Sequence, residues 1–222
     1  MIVHTIQAIE QELRGFYELE PGLSALDVLM TRDELSTALA DSAATINERG
    51  GVYFVSHGDE VFIGLHIGPT IEAALAASDP AAQLTNRNLD AFCVIVEELS
   101  HFHLLLDRMR RQIPVTKVEL EWQGEVDKLL FSAILLRRQS GSAHYHHLAR
   151  CLFEQSELTT ADSVYREASD LAARFWYDLI TYKDGISDPA HSQVLKSLLK
   201  TTYSSPWEDK LAAIRGLSRK AA

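Results

Sequence analysis

The sequence predicts a compact, mainly α-helical fold, α+β only through one β-hairpin in its N-terminal third. Apolar residues recur at three- and four-residue spacing over most of the 222 residues, which is the period of an amphipathic helix. Several of these stretches begin with helix-capping sequences. Alternation with a period of two, which is typical of strands, is sustained over residues 52–67. Hydrophobic residues make up 46% of the chain and charged residues 23%, a balance that favours a globular core over disorder.

Two helices are expected before the hairpin. Isoleucine and leucine at helical spacing predict a helix over residues 2–14, ended by a glycine. Thr31 and Glu34 have the spacing of a capping box, in which each side chain accepts a hydrogen bond from the other's backbone N–H. We expect the helix that begins there to continue to Arg49 and to stop at the glycine pair 50–51.

The predicted hairpin spans residues 52–67, with a turn near residues 57–60. Its apolar positions alternate and are rich in β-branched and aromatic side chains, namely Val52, Phe54, Val61, Ile63, Leu65 and Ile67. An isolated hairpin is only marginally stable in water. We therefore expect it to pack against helices or to pair with a further strand. A short helix over residues 71–77 should come next.

The rest of the chain should be helical. Predicted helices cover residues 88–111, 116–138, 143–155, 161–183 and 205–215, and another begins at the Asp-Pro pair 188–189. Residues 88–111 are apolar on almost every side, which predicts a buried central helix. A capping box at Thr116 and Glu119 begins the next helix. Residues 116–122 also alternate, so a strand is the alternative for that segment.

A single domain over residues 1–222 is the predicted organisation. The sequence contains no internal repeat and no linker rich in Pro, Gly or Ser that would divide the chain. The alternative is two packed halves. An α+β half would cover residues 1–79 and include the hairpin, and an all-helical half would cover residues 86–222.

Charge and missing motifs exclude several functional classes. The chain has 31 acidic and 21 basic residues, a net charge of −10, so non-specific nucleic-acid binding is not expected. No apolar run approaches the roughly 20 residues of a membrane span, and no leader pattern opens the sequence, which predicts a cytoplasmic protein without a membrane partner. Two cysteines cannot form a disulfide scaffold. P-loop, Rossmann, α/β-hydrolase, zincin and CxxC motifs are missing from the sequence.

A polar stripe on the predicted central helix is the first candidate site. Glu97 and His101 lie one turn apart on one face. Glu98 and His101 have the Glu-x-x-His spacing that carboxylate-bridged metal centres use. Glu121 and Glu125 on the next helix could supply further carboxylates. The stripe therefore offers candidate ligands for a divalent metal ion, and Glu97, His101, Glu121 and Glu125 are the candidate catalytic residues.

The favoured interpretation of this stripe is nevertheless structural. Buried ion pairs perturb charged groups as strongly as functional sites do, and they need no ligand. In that case Glu97 should pair with His101, with Arg108 or with an arginine of a neighbouring helix. Only one Glu-x-x-His is present, whereas a dinuclear bundle site needs two.

Residues near this stripe bear on both the metal-site and the structural interpretation. Glu121 and Glu125 are one turn apart and repel each other unless a metal ion or Lys128 neutralises them. His103 lies on the opposite, apolar face of the central helix. We predict that it is a hydrogen-bonded histidine of the core rather than a ligand.

A histidine-rich segment is the second candidate site. His144, His147, Cys151 and Glu154 would share one face of the predicted helix 143–155. Imidazole and thiolate are zinc ligands. A rise of about 1.5 Å per residue separates the first and last of these by about 15 Å, so only neighbouring pairs could bind one ion. The favoured interpretation is a polar, partly exposed helix start.

These patterns leave two function classes. The preferred one is a non-catalytic interaction or regulatory subunit of a protein complex. It would bind a protein partner, or a second copy of the chain, through the hairpin edge or the acidic surface. The alternative is a metal-dependent hydrolase or oxidase that uses the Glu and His ligands on a helical scaffold. A divalent metal ion is the single cofactor that the sequence indicates.

Overall fold

The computed structural model describes residues 2–57, 60–154, 163–182 and 193–220. In these residues it has nine α-helices and one two-stranded antiparallel hairpin, and 69% helix confirms the predicted fold class. The helices are α1 (Ile2–Tyr17), α2 (Arg32–Ala38), α3 (Pro69–Ala77), α4 (Leu89–Arg111), α5 (Lys117–Ser140), α6 (Tyr145–Ala149), α7 (Ser163–Tyr182), α8 (Gln193–Ser204) and α9 (Trp207–Lys220). A 3₁₀ turn covers Ala25–Val28, and a π-helical turn covers Arg150–Glu154.

The hairpin forms where the alternation predicts it. Strand β1 (Gly50–His57) pairs with β2 (Glu60–Ile67) in a register that sets Gly50 opposite Ile67. The C-terminal half of β2 enters the core, where Leu65 is fully buried. On its other side β2 receives a short parallel bridge at Leu29, and the backbone N–H of Met30 donates to the carbonyl of Leu65 over 2.8 Å.

The predicted continuation of α2 to Arg49 is wrong, because the helix ends at Ala38. Hydrogen-bonded turns follow it, and only the last residues of the segment bond to the hairpin region. Asn47 N–H donates to the Tyr53 hydroxyl over 2.8 Å, and Gly68 N–H donates to the Arg49 carbonyl over 2.8 Å. A Cβ at Gly68 would overlap the backbone of residue 48, so glycine permits this close passage. Residues 47–49 thus run alongside the hairpin, where the sequence predicted a continuing helix.

Helices α4 and α5 form the centre of the fold. The helix prediction for residues 116–138 is confirmed over the strand alternative: Thr116 caps α5 by accepting from Glu119 N–H over 3.1 Å. Gly141 ends α5 in the left-handed conformation, with φ of 77°. The link between α4 and α5 is short, and Cys93 early in α4 meets Ser132 late in α5, so the two helices are antiparallel. Helix α5 also packs against α7.

The C-terminal helices differ from the prediction at their ends. The helix predicted over residues 143–155 is only five residues long, and the π-helical turn comes directly after it. Helix α9 continues through Gly216, where a stop was predicted, because a helical glycine is unfavourable but tolerated. The predicted helix start at residues 188–189 lies outside the described residues.

One apolar cluster connects these elements. Its fully buried members come from seven different helices and from β2, and they include Ile6, Leu13, Leu65, Leu75, Leu99, Trp122, Ala149, Phe175 and Tyr203. Whether the chain is better divided into halves at residues 79–86 stays a prediction. Within the described ranges no helix has both the length and the apolar character that a membrane span needs.

His103 is a core residue, as predicted. It is 5% exposed, and its Nε2 lies 3.1 Å from Oε1 of Glu10 on α1. Glu10 also accepts from Ala25 N–H over 2.9 Å and from the Ser24 hydroxyl over 2.8 Å. Burial by itself raises the pKa of Glu10, but these hydrogen bonds and the neighbouring imidazole outweigh it, so the pKa lies below its usual range. This contact ties α1 and the 3₁₀ turn to α4.

Candidate metal centre

A polar seam runs along the contact between α4 and α5. On α4 it contains residues four apart, Cys93, Glu97 and His101, and on the antiparallel α5 it contains Ser132, Lys128, Glu125 and Glu121. Residues at this spacing lie on one face of a helix, and the α4 face is turned toward α5. Most of these side chains are only slightly exposed, so the seam is desolvated but lies near the surface.

Glu97, His101 and Glu121 form the most concentrated part of this seam. One ligand atom from each lies within 4.8 Å of the others. His101 Nε2 and Glu121 Oε2 are 3.6 Å apart, which is too long for a hydrogen bond. Both atoms are buried, and neither has a hydrogen-bond partner among the residues that the structure describes. The Glu121 side chain is 7% exposed, so water does not substitute freely for that partner.

Glu98 acts on the other side of the imidazole. Its Oε2 lies 3.8 Å from His101 Nδ1, while Nε2 faces Glu121. In metal sites a ligating histidine almost always donates its second N–H to a carboxylate or carbonyl, which fixes the ring. Glu98 thus lies beside the ring nitrogen that faces away from Glu121, so it could orient His101 but is not in the group of possible ligands.

Gly124 lets the two helices approach at this point. A Cβ at this position would lie 3.0 Å from His101 Nε2 and 3.1 Å from Glu97 Cγ. The backbone of α5 thus forms one wall of the site. Any larger residue would have to displace the ligand atoms themselves.

The pKa values in the triad reflect burial opposed by charge. Burial lowers the pKa of His101, but the adjacent carboxylates of Glu98, Glu121 and Glu97 outweigh it and raise the pKa to about 9. Burial raises the pKa of Glu121 to about 7, although the imidazolium partly offsets this. The site therefore has protons to release at neutral pH if a metal cation binds.

Lys128 neutralises the other end of the seam. Its Nζ lies 3.0 Å from Glu97 Oε2 and 2.8 Å from Glu125 Oε1. Burial opposes ionisation of Glu97, but Lys128 and His101 hold its pKa below the usual range. Burial raises the pKa of Glu125, and Lys128 offsets only part of that effect. The sequence-based expectation that Lys128 relieves the repulsion at Glu125 agrees with this contact.

Tyr165 on α7 completes the site from a third helix. It lies close enough to the carboxylate of Glu121 to lower the pKa of that group, against the larger effect of burial. Burial and the nearby carboxylate charges hold the pKa of Tyr165 well above its usual range. No local sequence signal links α7 to this site, because the contact depends on how α7 packs across α5.

The structure brings Glu97, His101 and Glu121 of the first predicted constellation into one group, whereas Glu98 and Glu125 lie beside that group and outside it. Glu97, however, pairs with Lys128 rather than with an arginine. Arg108 lies later in α4 and bonds Glu119 of α5 instead. Gly124 was not predicted as a site residue, although an isolated glycine inside a helical pattern is a recognised signal of close packing.

The second predicted constellation does not assemble as a single stripe. His144 precedes α6 in a left-handed conformation with φ of 43°, so it lies outside the helix. His147 Nε2 and Cys151 Sγ are 3.7 Å apart on an exposed surface. Within the described ranges the single group of three metal-binding side chains is the one at Glu97, His101 and Glu121.

Comparison of the chain with protein-family models, with curated proteins and with solved structures gives no match.

Proposed function

We propose that the protein binds one divalent transition-metal ion between α4 and α5, and that Glu97, His101 and Glu121 are its ligands. The observation that supports this most strongly is the pair of buried, unpartnered atoms, His101 Nε2 and Glu121 Oε2, that face each other over 3.6 Å. Leaving buried polar atoms without partners costs roughly 1–3 kcal/mol each. A metal ion between these atoms would satisfy both.

The charge of the seam supports the same proposal. Four carboxylates meet only two basic groups there, with Glu97, Glu98, Glu121 and Glu125 opposite His101 and Lys128. The excess of carboxylates makes a divalent cation the natural counter-ion in this low-dielectric setting.

The ligand types limit the identity of the ion and its chemistry. One imidazole and two carboxylates suit Zn²⁺, Mn²⁺ or Fe²⁺ better than the all-oxygen site that Mg²⁺ or Ca²⁺ prefers. Three protein ligands leave coordination positions open for water and substrate, as catalytic sites do. A bound ion would lower the pKa of a water ligand and polarise an oxygen of the substrate. We therefore propose a metal-dependent hydrolase or oxidase as the function.

Metal binding is testable on the purified protein. We expect about one equivalent of Zn²⁺ or Mn²⁺ per chain by elemental analysis and calorimetric titration, and a higher melting temperature in excess metal, since binding only the folded state stabilises it. His101→Ala and Glu121→Gln should abolish binding. His147→Ala is the matched control on the exposed histidine pair and should bind as the wild type does. A wild-type protein that takes up no metal, or a His101→Ala protein that still binds, would contradict the proposal.

Self-association through the hairpin is the second candidate function, and it corresponds to the preferred sequence-based class. Among the described elements β1 pairs with β2 alone, so its outer edge has no strand partner. Val61 near the tip of β2 is 44% exposed. A second copy of the chain could add a strand to this edge and cover the exposed Val61 side chain on the neighbouring strand.

The oligomeric state tests the hairpin interface. We expect a dimer by light scattering, and we expect Val61→Lys to shift it to a monomer with an unchanged thermal transition. Ile67→Lys is the contrasting variant, because Ile67 is 4% exposed and its replacement should unfold the protein. A monomeric wild type at all concentrations would rule this candidate out.

A further inference from the structure

The ammonium group of Lys128 lies between two carboxylates of the seam. Its Nζ lies between Glu97 Oε2, at 3.0 Å on α4, and Glu125 Oε1, at 2.8 Å on its own helix. The lysine side chain is 15% exposed, so this ammonium group is largely removed from water. Glu97 contacts Lys128 and also belongs to the triad with His101 and Glu121.

This arrangement has the form of a two-cation site. Helical bundles hold pairs of metal ions about 3.5–4 Å apart with carboxylates from facing helices. In a two-ion site, one carboxylate lies between the two ions and contacts both. Glu97 has that place in this seam, because it belongs to the triad and also contacts the Lys128 ammonium. Glu125 contributes only to the ammonium side.

We propose that the Lys128 ammonium fills the second cation position of the α4–α5 seam, so that the protein binds one metal ion beside a cation of its own. This inference rests on the proposed metal site. An ammonium is a compact charge with three N–H donors, which suits two converging carboxylates. It supplies positive charge next to the metal without taking up a metal ion.

Removing the ammonium should change the number of metal ions that the seam binds. Without it, Glu97 and Glu125 face each other in a poorly hydrated seam and repel. In excess metal, a second divalent ion can take the place of the ammonium and relieve this repulsion. Loss of the lysine should therefore create a metal position rather than only damage the fold.

The test is the number of Mn²⁺ ions bound by the full chain, measured by calorimetry and by electron paramagnetic resonance. The wild type and Lys128→Arg should bind one ion each with the spectrum of isolated Mn²⁺. Lys128→Met should bind two, with the spectrum of an exchange-coupled pair. The double variant Lys128→Met with Glu125→Gln lacks a ligand for the second ion and should return to one.

The possible outcomes separate this inference from the proposed function. No Mn²⁺ in the wild type contradicts the metal site itself. One ion in both the wild type and a folded Lys128→Met leaves the metal site intact and overturns the inference. Two ions in the wild type also overturn it, because the position would then not be filled by the lysine. A Lys128→Met protein that fails to fold in excess Mn²⁺ overturns it as well, since the second ion should restore the charge balance.

Discussion

Replacing Arg108 with alanine is expected to destabilise the protein by about 3–5 kcal/mol, because it leaves a buried carboxylate short of its main partner. Arg108 is 1% exposed, and its Nη2 donates to Glu119 Oε1 over 2.9 Å. The same atom lies 2.8 Å from the carbonyl oxygens of Tyr203 and Ser205. One guanidinium therefore connects α4, α5 and the end of α8.

Glu119 would keep a single cation after this change. It is fully buried, and Lys210 Nζ from α9 lies 3.0 Å from its Oε1. Burial lowers the pKa of Lys210 to about 8, although the charge of Glu119 partly opposes the shift. Lys210 is thus a poor substitute for Arg108, whose guanidinium also donates to the carbonyl oxygens of Tyr203 and Ser205.

Urea unfolding at pH 7 measures this effect. Arg138→Ala is the matched control, because Arg138 bonds Glu12 over 2.7 Å on the surface and such pairs contribute only about 0–1 kcal/mol. Arg108→Lys should recover little stability, since one ammonium cannot make the forked contacts. An Arg108→Ala protein as stable as Arg138→Ala would show that the buried network does not hold α8 and α9 in place.

Helix α5 shows where sequence reasoning reached its limit for the fold. Its position and ends follow from the cap at Thr116 and from Gly141. Its burial does not follow from the sequence. Glu119, Gln123 and Asp127 have the spacing of a polar, solvent-facing stripe, but all three are buried. They are satisfied by groups distant in sequence: the hydroxyl of Tyr17 hydrogen-bonds Asp127, for example. Periodicity identifies a polar face, but only tertiary packing decides whether that face meets water.

The candidate site was predictable in its ligand types and only partly in its geometry. Spacing along one helix places Glu97 and His101 on the same face, since helical periodicity is local. Which carboxylate of α5 lies opposite His101 depends on the register between two helices. The sequence left Glu121 and Glu125 equivalent, whereas the structure sets Glu121 against the imidazole and Glu125 against Lys128.

Gly124→Ala is expected to weaken metal binding while it leaves the free energy of unfolding almost unchanged. Alanine is favoured over glycine inside a helix by about 0.5–1 kcal/mol. Here the new methyl group would lie 3.0 Å from His101 Nε2 and 3.1 Å from Glu97 Cγ. The two side chains would have to yield by a few tenths of an ångström, which offsets the gain in helix stability. We expect a free energy of unfolding close to that of the wild type.

Metal binding should respond differently to the same change. Displacing groups that orient metal ligands typically weakens binding by about 10–100-fold, and Gly124→Ala should weaken Mn²⁺ binding by a similar factor in calorimetric titration. Gly216→Ala is the matched control, because Gly216 lies inside α9 and a Cβ added there would meet no atom within 4 Å. It should gain up to about 1 kcal/mol in urea unfolding and bind Mn²⁺ as the wild type does. If Gly124→Ala gains as much stability and binds as tightly, then the close approach of α5 to His101 has no role in shaping the site.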